Sequence, residues 1–521
     1  MRLKISKAFA SFSLTEKVIF GIFAVALVIS TAVILWNINN QFMTEVPVSG
    51  GTIQEGIVGY PRLINPLFTY TDAGNDLTSL IYSGLMKANP DGTLSPDLAK
   101  SYSVSKDGLT YSFILKNNLT FQDGTPLTTD DVEFTIQKAT DPALKSPKAA
   151  NWDGVVIDKI SPTEIHFILK KPYSPFLENT TLGILPQHIW KDIDDDLWPI
   201  SIFNQEPIGS GPYRIKTTSK NKSGLYQYYH LVPFAQYSLS RPYISNLIIR
   251  FYTSDQALIE AYKKGEIDTL DGITADEAQS LVKTGAHVLT TPLPRIFGIF
   301  FNQNQATVLV NKEVRQALNI AIDRTALINT VLDGYGIPAT GAVPDLSTNI
   351  PANGLASSTA DTASSTQDQL IAQARDILTK AGWKPDANGI MTKQIKNGKQ
   401  TSTQVLRFSI STSDAPDLKQ TASIVQNIWR QVGADVSVKV FNLSDLNQSV
   451  IRPRNYDALL FGTAIGRDMD LFAFWDSSQR NDPGLNIALY ANPKVDKLLE
   501  DARATSDTAV RNNDYALFEK Q

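Results

Sequence analysis

Polar and apolar positions alternate in steps of two from Thr110 to Lys116, with Tyr111, Phe113 and Leu115 interleaved among Thr110, Ser112 and Lys116. That period predicts a half-buried strand. Lys106-Asp107-Gly108 before it reads as a tight turn, with glycine supplying a positive φ. Asn117-Asn118 interrupts the strand, Leu119-Thr120-Phe121 resumes extended, and Asp123-Gly124-Thr125-Pro126 turns again. Thr128-x-x-Asp131 then has the form of a helix capping box, and Val132, Ile136 and Ala139 form the buried stripe that follows. "EVRQALNIAIDR" places Val314, Leu318, Ala321 and Ile322 on one helical face, with Arg315 and Arg324 on a solvated or salt-bridged one. "NPKVDKLLEDARATSDTAVRNNDYALFEKQ" predicts two helices. The first carries a stripe of Val495, Leu498, Leu499 and Ala502; the second carries Val510, Tyr515 and Phe518.

One run has no alternation. "VIFGIFAVALVISTAVIL", Val18 to Leu35, is uncharged throughout and long enough to cross a bilayer as a helix. Arg2, Lys4, Lys7 and Lys17 precede it, whereas Asn37 to Val48 carries only Glu45. The charge asymmetry places residues 1–17 in the cytoplasm as a basic tail, 18–35 in the membrane and everything after Trp36 outside. A cleavable signal peptide is the rival reading, because Ser30-Thr31-Ala32 is a small-x-small triplet. Val33-Ile34-Leu35 continues the apolar run past it, which favours an uncleaved anchor. Residues 36–50 read as a short tether. Beyond them strand-like and helix-like segments alternate without one dominant period or repeat, a mixed α/β chain. "IPANGLASSTADTASSTQDQ", Ile350 to Gln369, is poor in large apolar groups and reads as a flexible surface loop.

With 521 residues the chain can hold two or more domains. A net charge of −4 lacks the basic footprint of a nucleic-acid binder, and the absence of cysteine removes disulfides and thiolate chemistry. His166, His188, His230 and His287 stand singly, with no metal-ligand spacing, and read as surface or hydrogen-bonded structural histidines. Gly209-Ser210-Gly211 follows Ile208 and is therefore not a hydrolase elbow; Gly398-Lys399 runs into Gln400 and is not a phosphate loop. Asp130-Asp131 and Asp194-Asp195-Asp196 suit helix starts and solvated loops better than paired catalytic carboxylates. Nothing here calls for a cofactor, a metal or an enzymatic reaction.

"LSPDLAKSYSVSKDGLTYSFILKNNLTFQDGTPLTTDDVEFTI" closely resembles the signature region of the peptide/nickel (oligopeptide- and dipeptide-binding, family 5) substrate-binding proteins of ABC transporters. "INPLFTYTDAGNDLTSLIYSGLMKANPDG", "PIGSGPYRI", "YKKGEIDTLDGI", "FNQNQATVLVNKEVRQALNIAIDR", "ARDILTKAGW", "IWRQVGADVSVKV" and "YDALLFGTAIGRDMDLFAFW" resemble further blocks of that family, in order, over residues 51 to 521. An ordered succession of blocks is far more specific than one short motif.

The resemblance implies a two-lobed periplasmic-binding-protein-like α/β fold with an extra domain inserted in the first lobe, closing on ligand by hinge motion. It implies domain I in 51–92 and 207–300, inserted domain II in 93–206, domain III in 301–505, and in 506–521 the start of a return to domain I. The last helix reaches Gln521 without a glycine or asparagine stop, so further chain completing domain I is expected. "RIFGIFFNQN" runs apolar then polar, as expected of a strand entering a crossing segment.

By the same resemblance Tyr70, Thr71, Asp72 and Asn75 face the cleft from one lobe, and Arg295 and Phe297 lie on a crossing segment near the ligand. Thr463, Ala464, Ile465, Gly466 and Asp468 fall where the other lobe meets it. Peptide-binding relatives hold the ligand's α-ammonium with an aspartate in this segment. Aligning Gly462 and Phe472 puts Ile465 or Gly466 there instead, with Asp468 and Asp470 the nearest acids, both read as a solvated turn; Thr463 replaces a common tryptophan. The implied function is a non-enzymatic extracytoplasmic receptor on the cell membrane, anchored by a single span. It would deliver peptides or other small polar solutes to an ABC permease whose membrane and ATPase subunits are separate proteins. An anchored peptide sensor or chaperone without a transporter is the alternative.

Overall fold

The apolar N-terminal run lies inside one continuous helix, α1 (Leu14–Phe42), opened by a capping box in which Ser13 N–H donates to the Glu16 carboxylate at 2.7 Å. Its stretch Leu14–Ile38 is long and apolar enough to cross a membrane, and no part of that window is buried. The helix passes through Asn37–Gln41 before ending, so the first half of the expected 36–50 tether is helical. Polar residues without glycine or proline do not stop a helix already propagating at one hydrogen bond per residue. The computed structural model describes residues 13–43, 46–69, 71–291, 293, 295–343, 366–397, 400–465, 470–505 and 507–521. The chain divides into two compact units, one of residues 1–51 with 242–245 and one of all the rest.

Beyond α1 the elements run β1 (Gly50–Val58), α2 (Asp72–Ile81), β2 (Ala99–Val104), β3 (Thr110–Leu115), α3 (Thr129–Thr140), β4 (Val156–Ser161) and β5 (Glu164–Ile168). They continue with β6 (Tyr213–Lys220), β7 (Tyr226–Pro233), β8 (Ile244–Tyr252), β9 (Thr269–Leu270), β10 (Arg295–Phe301), α4 (Lys312–Ile320) and α5 (Gln367–Lys380). Then come β11 (Arg407–Ser413), α6 (Pro416–Val432), β12 (Asp435–Phe441), β13 (Ala458–Ala464), α7 (Phe472–Trp475), α8 (Pro493–Ala504) and α9 (Thr508–Lys520). Three main sheets result: β9-β1-β8-β7-β6, an antiparallel β2-β3-β5-β4, and a mixed β10-β13-β11-β12. Two small hairpin sheets, over 86–96 and 384–405, complete the topology.

The alternation in β3 has the expected consequence. Tyr111, Phe113 and Leu115 are buried, and Phe113 meets Phe167 of β5 at 5.7 Å between ring centroids. Gly108 takes φ +69° at the preceding turn. Thr128 and Asp131 form the reciprocal capping box of α3, which buries Val132, Ile136 and Ala139. Asp130 pairs with Lys159 and Asp195 with Lys138, so these acids are ion-paired at helix starts.

"PIGSGPYRI" marks the point where β6 departs and the backbone runs against the end of α2. Gly211 N–H donates to the Ile81 carbonyl at 2.8 Å, and a Cβ on Gly211 would lie 2.6 Å from the Ile81 carbonyl carbon. The Gln122 amide spans the junction: its nitrogen donates to the carbonyls of Ile81 (3.1 Å) and Tyr213 (2.7 Å), and its oxygen accepts Gly209 N–H at 3.3 Å.

The third sheet supports a core of Val314, Leu318, Ile410, Val425, Trp429 and neighbours, with Trp429 Nε1 donating to the Leu318 carbonyl at 2.9 Å. Several expectations need correcting here. β10 pairs with β13 along its whole length, from Arg295↔Ala464 to Phe301↔Ala458, so a boundary at 300/301 would cut a continuous ladder. Arg315 is not on a solvated face; its guanidinium donates to the carbonyls of Leu309 (2.7 Å) and Val310 (2.8 Å) and ties down the turn before α4. Arg324 donates to Asn319 Oδ1 at 2.7 Å. The expected 350–369 loop ends early, because Thr366 and Gln369 form a capping box that opens α5; positions 350–365 lie outside the described residues. The two C-terminal helices form as expected, but Val510 is exposed while Tyr515 and Phe518 are buried with Val495 and Leu499.

Two substitutions separate local from tertiary control. Thr128→Ala removes a cap and is expected to cost about 1 kcal/mol. Gly211→Ala drives a methyl into backbone and is expected to cost about 3 kcal/mol. Urea unfolding of the full chain in detergent checks both; equal effects would contradict the close approach at Ile81.

Candidate functional site

Helix α2 turns one face inward through Ala73, Gly74, Leu77 and Ile81, which leaves Thr71, Asp72 and Asn75 exposed on the other. Thr71 is the N-cap, its hydroxyl accepting Gly74 N–H at 3.2 Å, and Asp72 sits in the first turn where the helix dipole favours an acid. Tyr70 lies outside the described residues. Burial, then Asp271 and Asp72, raises the Asp76 carboxyl from 3.8 to about 6. Burial, Asp271 and Asp76 likewise raise Glu55. Four acids from three elements therefore share one field. Sequence reading missed Glu55, Asp76 and Asp271. The Asp72/Asp76 spacing at i, i+4 was a visible signal of like charges on one helix face. The other two join only through the parallel pairing of Glu55 with Thr269, two residues before Asp271.

The second group is built on the β10–β13 ladder. Arg295 stands opposite Ala464, Ile296 opposite Thr463 and Phe297 opposite Gly462. Arg295 and Phe297 are both exposed, with the guanidinium carbon 5.2 Å from the Phe297 ring centroid. The ring lies across Gly462, where a Cβ would come within 2.5 Å of Phe297 Cε1; only glycine leaves room for it. Thr463 is half-buried and Ala464 exposed. The ladder thus gathers Arg295, Phe297, Thr463 and Ala464 at one strand end, an aromatic surface beside a cation.

Ile465 departs from expectation. It is 7 % exposed and packs with Leu471, Val495, Leu499 and Phe518, so its side chain belongs to an apolar cluster and not to the ligand surface. Gly466 and Asp468 lie outside the described residues. Asp470 is not in a solvated turn: it is largely buried and pairs with Arg503 at 3.1 Å. Burial holds its carboxyl above the ordinary range, outweighing the lowering by Arg503.

Three of the four histidines have mundane partners, His166 with Glu164 (3.0 Å), His188 with Asp123 (2.7 Å) and His230 with Asn246 (2.9 Å), and His287 is exposed. Among the described residues no group of three or more His, Cys, Asp or Glu could hold a metal ion. The arrangement suits reversible recognition of a polar ligand through charge, aromatic area and hydrogen bonds.

The raised Asp76 pKa has a definite sign. The folded state holds this proton more tightly than the unfolded chain, so stability is undisturbed below about pH 3.8 and declines as pH rises through about 6. Asp76→Asn is expected to stabilise the chain by about 1 kcal/mol at pH 7, after discounting for solvent screening, and by nothing near pH 4. Thermal melts at the two pH values measure it; a gain equal at both would exclude charge repulsion as its source.

Comparison with known proteins bears on the whole chain. The family described as bacterial extracellular solute-binding proteins, family 5, matches residues 93–483. The oligopeptide-binding protein AppA of Bacillus subtilis is 28 % identical over 477 residues, 90 % of this chain and 83 % of that protein. The structure of AppA from B. subtilis with a nonapeptide aligns with TM-score 0.63 at 27 % identity, covering 91 % of each chain. That of NikZ from Campylobacter jejuni with Ni(L-His) gives 0.63 and 27 %, covering 90 % of this chain and 89 % of NikZ. With three-quarters of its length matched, this chain belongs to the family 5 bacterial extracellular solute-binding proteins.

Proposed function

We propose that the chain is a membrane-anchored receptor that captures peptides or similar small polar solutes outside the cell and delivers them to an ABC permease with separate ATPase subunits. The observation that carries the reading is that the chain presents an exposed cation and aromatic, Arg295 and Phe297, on one sheet and exposed Thr71, Asp72 and Asn75 at the start of α2. Family membership supports solute binding, and relatives are substrate-binding proteins, not enzymes. The peptide class is supported by AppA, a relative whose structure holds a nonapeptide. In this reading domain I takes in 51–92 and 207–294, the inserted domain 93–206, and domain III 295–505, the last boundary moved so that the β10–β13 ladder stays whole.

The acids near α2 then supply what Ile465 and Gly466 lack. A ligand cation would relieve the mutual repulsion of Asp72, Asp76 and Asp271, and Arg295 would meet ligand carboxylate or carbonyl oxygen. Mass spectrometry of material co-purifying with the full chain identifies the solute. Asp72→Asn and Arg295→Ala are each expected to weaken its binding about tenfold, as loss of one charge-assisted bond does. Asp107→Asn, at a turn, is expected to leave binding unchanged. A strong loss from Asp107→Asn alone, with the fold intact, would contradict the placement. For a peptide ligand, N-acetylation is expected to cost less than about tenfold if no single carboxylate dominates ammonium recognition; a much larger loss would assign that role to one acid.

The anchor reading rests on α1 continuing unbroken beyond Ser30-Thr31-Ala32. N-terminal sequencing of membrane-purified protein is expected to begin at Met1. A start near Val33 would mean cleavage.

A further inference from the structure

One contact joins parts of the chain that share no sheet. Tyr173 and Ser174 follow β5 and belong to the stretch carrying the β2-β3-β5-β4 sheet, whereas Asp470, Phe472, Arg503 and Arg511 belong to the C-terminal helical segment. The Arg503 guanidinium lies over two rings, 4.7 Å from the Tyr173 centroid and 4.4 Å from that of Phe472. Asp470 Oδ2 forms an ion pair with Arg503 Nε at 3.1 Å, and the Tyr173 hydroxyl reaches the same carboxylate oxygen at 3.5 Å. Ser174 N–H donates to the Arg503 carbonyl at 2.9 Å, and Arg511 donates to the Ser174 hydroxyl at 3.2 Å.

Each half is held firmly on its own side. The Tyr173 carbonyl accepts the Tyr111 hydroxyl at 3.0 Å, which fixes the loop to β3. Asp470 Oδ1 accepts Phe472 N–H at 3.2 Å, and Phe472 packs on the cluster of Leu471, Val495, Leu499 and Phe518. Beside the contact lies a cavity of about 170 Å³ between the turn at Lys106–Gly108 and Ala504–Thr505. A planar cation over two rings, flanked by a few hydrogen bonds and a void, can part without exposing a dry core. A joint that stayed shut permanently would gain more from close-packed apolar side chains.

We propose that Arg503 is a positioning residue: stacked on Tyr173, it clasps the β2–β5 module to the C-terminal helices in the closed conformer, and its release accompanies opening for solute exchange. The proposal rests on the receptor reading above. It deepens that reading by assigning control of ligand retention to residues that do not touch the ligand.

The chain has no cysteine, so two introduced ones can be labelled without background. Spin labels at exposed Lys100→Cys and Glu500→Cys report the separation of the two sides by double electron–electron resonance on the ligand-free full chain in detergent. The parent is expected to give one short distance. Arg503→Ala and Tyr173→Ala are each expected to add a longer population, Arg503→Lys a smaller one, and Tyr173→Phe, which keeps the ring, almost none. Combining Arg503→Ala with Tyr173→Ala is expected to add nothing beyond either alone, because they remove the same contact. A fluorescent nonapeptide supplies a second arm. Dissociation is expected to quicken about tenfold in either alanine variant, equivalent to about 1.4 kcal/mol, with association little changed. An unshifted single distance in Tyr173→Ala, which alters only one side and leaves the C-terminal cluster intact, overturns the clasp, as does tenfold-weaker binding arising wholly from slower association. If the nonapeptide does not bind the parent, the peptide reading falls and the distance arm alone decides the clasp.

Discussion

The arrangement of this molecule depends on the amide of Gln122. Its nitrogen and oxygen together engage the backbone at Ile81, Gly209 and Tyr213, while its own N–H donates to the Gly209 carbonyl at 2.8 Å. Three chain segments far apart in sequence are thus joined by one side chain: the end of α2, the loop after β3, and the glycine pair that leads into β6. The contact requires Gly209 and Gly211, because a Cβ at either would overlap the Ile81 peptide. A second polar tie lies nearby, where the Ser238 hydroxyl donates to buried Asp97 and Lys116 Nζ donates to the Ser238 carbonyl at 3.1 Å. Side-chain amides and hydroxyls satisfy backbone groups that neither sheet can pair at such a junction.

From that junction α2 is aimed with its capped, acidic start toward solvent, and what gathers there is unbalanced charge. Burial, and after it the charges of Asp271 and a neighbouring α2 acid, raises the proton affinity of both Glu55 and Asp76. The opposite arrangement holds on the third sheet, where Arg295 is exposed over Phe297. Groups held in such a state store free energy that a ligand of complementary charge can release. That is the currency of a binding protein, and it needs no nucleophile, metal or cofactor.

In the proposed reading recognition and retention use different residues. Arg295, Phe297 and Asp72 are exposed, whereas Arg503 lies over rings supplied by two parts of the chain and is ion-paired with a largely buried carboxylate. Guanidinium suits that position because its planar, delocalised charge stacks on aromatic rings while remaining ion-paired, which a compact ammonium does less well.

How much of this was legible follows the range of the interactions. The membrane-length helix, the β3 alternation, the Thr128–Asp131 capping box and the stripe of α4 were all readable from sequence. Each is set by residues within a few positions of one another, through period, cap geometry and apolar run length. Ordered resemblance along the chain added the family. What the sequence did not determine was every feature that depends on who meets whom across the fold. Ile465 sits next to exposed Ala464 yet faces a core that exists only because α8 and α9 pack there. Arg315 and Asp470 looked like surface charges, but a preceding turn and a guanidinium 33 residues downstream claim them. Glu55 joins Asp271 only because β1 pairs with β9. Local pattern fixes elements because backbone hydrogen bonds and caps are short-ranged; burial and field strength are sums over neighbours from distant sequence, and only the tertiary structure decides them.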